Sequence, residues 1–187
     1  GLDYVSSQLF NIKNIILGMS NTAFAGNIGV EVGFVGGADL AEHYYSNEIL
    51  TAGEVVAIDK SLVAGIKKTT GAYQRDALGI VATEPGIILG GAAENSYPVT
   101  LVGRVPVKVT NENGPIYAGD RLTSSVRPGS AMLATQAGRV LGAALADAVD
   151  WTVCEGESPQ DTNALLCTTV MVFVNLTDYS GQSVELA

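Results

Sequence analysis

Asp39 and Glu42 lie three positions apart, close enough for two carboxylates to share one site and split their pKa values into an acid and a base. The same spacing also serves a pair that caps a turn or faces water. His43, the only histidine, follows directly, but no Ser or Cys nucleophile is patterned around it and the Gly-x-Ser-x-Gly elbow is missing. Ser61 has Lys60, Lys67 and Lys68 nearby without the Ser-x-x-Lys spacing of a dyad. Among 22 glycines there is neither a Gly-x-Gly-x-x-Gly nor a P-loop pattern, so no nucleotide cofactor is expected. Glu155, Glu157 and Asp161 lack the alternating spacing of a calcium loop, and no metal is expected either. Tyr44 and Tyr45 have rings that stack on sugars, yet one Trp and 6% aromatic residues make a poor carbohydrate platform, and packing is the expected role. These residues point to a chain that is not an enzyme.

Cys154 and Cys167 flank a polar loop that joins two apolar runs, the pattern of a disulfide clamping a hairpin. Two cysteines cannot build a zinc site alone, and His43 is far away in sequence. A bridge closing so short a loop adds about 3 kcal/mol in the chain-entropy model. An oxidised pair implies an extracellular, cell-surface or virion-surface location. A start at Gly1, without Met or a cationic leader, is read as a processed chain, with a fragment as the alternative. Asn175-Leu176-Thr177 is an acceptor triplet, which makes Asn175 a glycosylation candidate.

The elements that would position these residues are set by composition. The 187 residues carry a net charge of −9 with only ten Lys and Arg, which excludes a nucleic-acid binder. Hydrophobic residues make up 47% and charged residues 16%, less charge than an ordinary monomer surface carries. The longest early uncharged stretch is broken by glycines and polar residues, so no membrane span fits. The weakly charged surface is therefore expected to be covered by copies of the chain itself.

Val5, Leu9, Ile12 and Ile16 fall at helical spacing, with Asp3 as N-cap and Gly18 as stop. The same segment is rich in β-branched residues, so an extended arm pairing with a neighbour is the alternative. Either way Val5, Leu9, Phe10, Ile12, Ile15, Ile16 and Leu17 need a partner surface, which makes residues 1–37 an apolar, Gly-rich assembly segment. Residues 38–187 form the β-domain. Strands are expected at 54–58, 78–82, 86–89, 99–102, 105–109, 121–124, 131–134, 140–145, 151–154 and 166–176, separated by turns such as Asn113-Gly114-Pro115 and Arg127-Pro128-Gly129. The fold class is mainly β, a barrel or sandwich of about ten short strands.

An internal repeat is visible. Ala52-Gly53-Glu54-Val55-Val56 echoes Ala118-Gly119-Asp120-Arg121-Leu122, and Leu78-Gly79-Ile80-Val81 echoes Leu141-Gly142-Ala143-Ala144. It predicts a domain of two similar halves.

The run Gly37-Ala38-Asp39-Leu40-Ala41-Glu42-His43-Tyr44-Tyr45, followed by Leu50-Thr51-Ala52-Gly53-Glu54-Val55-Val56, resembles the start of the C-terminal β-domain of phage tail-fibre and neck-appendage proteins, and related bacterial surface proteins. Asp39, Ala41, Glu42 and Tyr44 carry the match, and Leu78-Gly79-Ile80-Val81 and Gly119-Asp120 extend it. In some of those proteins the domain is an autoproteolytic intramolecular chaperone. The resemblance implies a self-assembling, secreted or virion-type β-domain, a homopolymer or trimer. If the chain cleaves itself, the resemblance puts Asp39 and Glu42 forward as the catalytic acids and Ala38-Asp39 as the junction. The expected function is thus a structural subunit of an extracellular filament or phage-like fibre, with self-cleavage as the alternative.

Overall fold

The structure, a computed structural model, describes residues 38–180. The helix or arm expected near the N-terminus, with its assembly set from Val5 to Leu17, lies outside the described residues.

Eleven strands follow one another without a helix between them: β1 (Ala38–Tyr45), β2 (Val55–Asp59), β3 (Gly65–Lys68), β4 (Ala77–Val81), β5 (Ile87–Leu89), β6 (Ser96–Thr110), β7 (Arg121–Ser124), β8 (Ala131–Leu133), β9 (Gly138–Ala144), β10 (Thr152–Val153) and β11 (Leu166–Tyr179). They are hydrogen-bonded into one network in the order β10-β11-β9-β7-β8-β6-β4-β2-β3-β1-β5, with β6 also pairing β11 and β1. The mainly-β expectation holds, in a sandwich-like arrangement.

Three details differ from the sequence reading. The stretches 99–102 and 105–109 are one strand, because β6 runs on through Gly103 and pairs β1 at one end and β11 at the other. Strand β1 was not expected, since its residues do not alternate between apolar and polar; its pairing with β6 from Ala38↔Arg104 to Tyr45↔Ser96 makes it a strand. Strand β3 was missed for a similar reason: Lys67 and Lys68 end it, and β2 supplies its ladder through Val56↔Lys68 and Ile58↔Ile66.

The internal repeat is real in hydrogen-bond register. In the first half Val56 pairs Gly79, the Gly53 amide donates to the Val81 carbonyl, and the Val81 amide donates back to the Glu54 carbonyl. In the second half Leu122 pairs Gly142, the Gly119 amide donates to the Ala144 carbonyl, and the Ala144 amide donates back to Asp120. The outer connections match as well, β1 running parallel to β3 and β6 parallel to β8. Strand β6 thus closes the first half and opens the second.

Alternation then builds the core. Val105 and Val107 of β6 face Val172 and Val170 of β11 across the ladder, and all four are buried. Each is worth about 1.5–3 kcal/mol of burial. With Ile80, Ile116, Leu122 and Leu141 they form the larger cluster; Leu50, Val56, Ile66, Val81 and Val99 form a smaller one. Adjacent Val55 and Val56 are both fully buried because they point into different clusters. Strand β2 is therefore covered on both faces.

Candidate functional site

In β1 successive side chains point to opposite faces, so an odd spacing separates Asp39 from Glu42. Asp39 is buried, and its Oδ2 accepts a hydrogen bond of 2.5 Å from the hydroxyl of fully buried Thr100. Glu42 stays on the other face, where Oε2 accepts from the Tyr44 hydroxyl at 2.8 Å. Burial, and after it that hydrogen bond and the charge of Glu42, push the Tyr44 hydroxyl up to about 12. The two acids do not share a site, so of the two readings of their spacing the shared acid–base site is not the one the fold builds.

Asp39 lies in the wall of a cavity of about 520 Å³, with Ala38, Glu84, Arg104, Pro106, Leu145 and Met171. That cavity opens on a broad apolar face, legible from the strand registers. Leu145 follows β9 and its amide donates to the Met171 carbonyl, placing it beside Met171 and Pro106. Phe173 pairs Arg104, which pairs Ala38; Asn175 pairs Val102, which pairs Leu40, which pairs Ile87. Leu145, Met171, Phe173, Val102 and Ile87 are each between 41% and 46% exposed, too much apolar surface on neighbouring strands for scattered chance. Arg104 sits within these rows, and the Phe173 row ends through Ala143 at Arg121 of β7. Strand β5 extends the face at the sheet edge with Leu89, two residues on from Ile87. The sequence signal for this face was the uninterrupted run Val170-Met171-Val172-Phe173-Val174, apolar on both sides of a strand.

Other expected residues fall into place separately. Cys154 and Cys167 are disulfide-bonded, Cα atoms 5.0 Å apart, across the antiparallel β10–β11 hairpin. Asn175 sits within β11 on the apolar face, not on a loop. His43 meets a residue that sequence spacing did not connect to it: Ser96 Oγ lies 3.1 Å from Nδ1. The same hydroxyl accepts from the Ala93 amide and donates to the Ala93 carbonyl, so it closes a turn. Glu54 is a buried tie not foreseen: its carboxylate meets Lys68 at 3.1 Å and Lys108 at 3.3 Å and accepts from the Thr51 amide at 2.8 Å. Among the described residues no three His, Cys, Asp or Glu side chains gather as a metal site, and no helix is long and apolar enough to cross a membrane.

No family model and no curated relative matches the chain. The fold is shared with a phage protein. The crystal structure of the pre-mature bacteriophage phi29 gene product 12 is similar with a TM-score of 0.51 at 12% identity, over 82% of this chain and 24% of that one. The C-terminal fragment of the same gene product aligns with a TM-score of 0.48 at 12% identity, over 73% of this chain and all of the fragment. The chain thus spans about a quarter of the length of the pre-mature protein, and at this identity the likeness is one of fold.

Proposed function

We propose that the chain is a structural, self-assembling β-subunit of a phage-like fibre or extracellular filament, located on a virion or cell surface, whose copies associate through the apolar face of β9, β11, β6, β1 and β5. The observation that carries this reading is that face: five large apolar side chains on adjoining strands, with one arginine among them. At about 25 cal/mol per Å² of apolar area removed from water, covering it favours association. The low charge of the whole chain and the shared fold with the phage gene product support it. Residues 1–37, with Val5, Leu9, Phe10, Ile12, Ile15, Ile16 and Leu17, supply further apolar surface for packing on a neighbouring copy.

Light scattering on the full chain tests it. The native protein is expected as an oligomer or polymer, and Phe173→Arg with Met171→Glu is expected to release folded monomers. A wild-type monomer at high concentration overturns the reading. Removing residues 1–37 then tells whether that segment or the sheet face holds the assembly.

Self-processing at Ala38–Asp39 is the second reading. It is favoured by the burial of Asp39 against Thr100 beside that junction and by the likeness to a protein described as pre-mature. Mass spectrometry showing a new N-terminus at Asp39 is the result that would establish it.

A further inference from the structure

At the far end of β9 and β11, away from the residues discussed so far, a cavity of about 580 Å³ is lined by Tyr73, Arg75, Gly138, Arg139, Asp178 and Tyr179. Its size is that of a small-molecule site. Two of the chain's ten cations stand here against one acid, a local excess of positive charge on a protein of net charge −9.

The walls are built. Register places Gly138 opposite Tyr179 and Arg139 opposite Asp178. The Tyr73 ring lies where a Cβ on residue 138 would stand, so only glycine lets the ring close down on β9. Tyr73 itself holds φ at +53°, a left-handed conformation that is rare for a bulky residue. It is kept there by its hydroxyl, which accepts from the Thr135 amide at 2.7 Å and the Gln136 amide at 3.1 Å, and by its own amide, which donates to Ser124.

The guanidinium of Arg139 is under-used. Its Nε is buried and has no hydrogen-bond partner among the described residues, and its Nη1 stands 3.8 Å from Asp178, beyond hydrogen-bond length. The side chain as a whole is 30% exposed, so its terminal nitrogens, not the enclosed Nε, are the donors that a ligand in the cavity meets. A planar guanidinium with free donors matches a carboxylate or phosphate. The rest of the lining is polar and amphipathic: Asp178 is an exposed acceptor for hydroxyl groups, and tyrosine rings flank the space.

We propose that this cavity binds an anionic saccharide, its carboxylate or phosphate on Arg139 with Arg75 at the mouth, its hydroxyls on Asp178, and its ring beside Tyr73 and Tyr179. Asp178 favours a sugar over a bare anion because it is an acceptor for the hydroxyls that the sugar brings.

Calorimetric titration of the full-length protein with glucuronate, glucose 6-phosphate, glucose and inorganic phosphate tests this. The two anionic sugars are expected to bind, and glucose and phosphate to bind at least about tenfold more weakly. Arg139→Gln is expected to weaken the anionic sugars by about tenfold or more. Arg75→Gln, at an exposed position that leaves the fold intact, is expected to weaken them less. Absence of binding by both anionic sugars, equal binding of glucose or of phosphate, or unchanged affinity in both variants overturns the proposal. The outcome is independent of oligomeric state, so it stands or falls apart from the assembly reading.

Discussion

Gly79 and Gly142 occupy equivalent places in the two halves of the domain, each pressed against a backbone carbonyl of the next strand, Thr100 in one case and Phe173 in the other. A Cβ at either position would collide with that carbonyl. The collision is with main chain, which a rotamer change cannot relieve.

Gly79→Ala and Gly142→Ala are each expected to destabilise the domain by about 3 kcal/mol, the upper end for overpacking. Gly71→Ala, where an added Cβ meets nothing, is expected to be nearly neutral. Denaturant unfolding of the three variants checks the contrast.

Burial pushes the Glu54 carboxyl up, but the Thr51 amide, Lys68 and Lys108 outweigh it and hold the group below the ordinary carboxylate range. A carboxyl depressed in the folded state contributes stability that is present above its unfolded pKa, about 4.3, and is lost as pH falls through the folded value. Stability is therefore expected to drop in acid below about pH 4.5, and Glu54→Gln to flatten that slope while costing about 1–3 kcal/mol at neutral pH. Thermal melts from pH 7 to 3 on both proteins measure it.

Cys154 and Cys167 in the unreduced protein are expected to resist alkylation, as read by mass spectrometry. Replacing both with Ser should lower stability by about 3 kcal/mol. Retained melting temperature in the double variant would show that the β10–β11 hairpin holds without the bridge.

Asp39→Asn with Glu42→Gln is expected to leave the length of the chain unchanged in a structural protein; a longer precursor accumulating in this variant would favour self-processing. Glu42→Gln alone should bring the Tyr44 hydroxyl down from about 12, because it removes the negative charge beside it while burial remains. Ultraviolet pH titration of the tyrosines reports that shift.

Local chemistry was enough for much of the fold. Strand β7 is read at 121–124 from sequence and found there, since the Gly119-Asp120 turn before it and Arg127-Pro128-Gly129 after it bound a short segment that alternates polar Arg121 and Thr123 with Leu122 and Ser124. The disulfide follows from two cysteines flanking one polar loop, and the internal repeat from two Gly-acid turns whose backbone bonds prove the same. These features depend on neighbours in sequence.

What only the tertiary structure decided depends on partners far along the chain. Strands β1 and β3 exist because β6 and β2 supply their ladders, which no alternation in their own residues announces. In Val170-Met171-Val172-Phe173-Val174 both faces are apolar, and Val105 and Val107 of β6 select the valines for the core, leaving Met171 and Phe173 outside. The two-residue period of a strand put Asp39 and Glu42 on opposite faces, whereas Ser96 reached His43 through sheet register and Tyr73, in the loop between β3 and β4, reached Gly138 through its bonds to Ser124, Thr135 and Gln136. Side chains that meet across a sheet are chosen by pairing, and pairing is a property of the assembled chain.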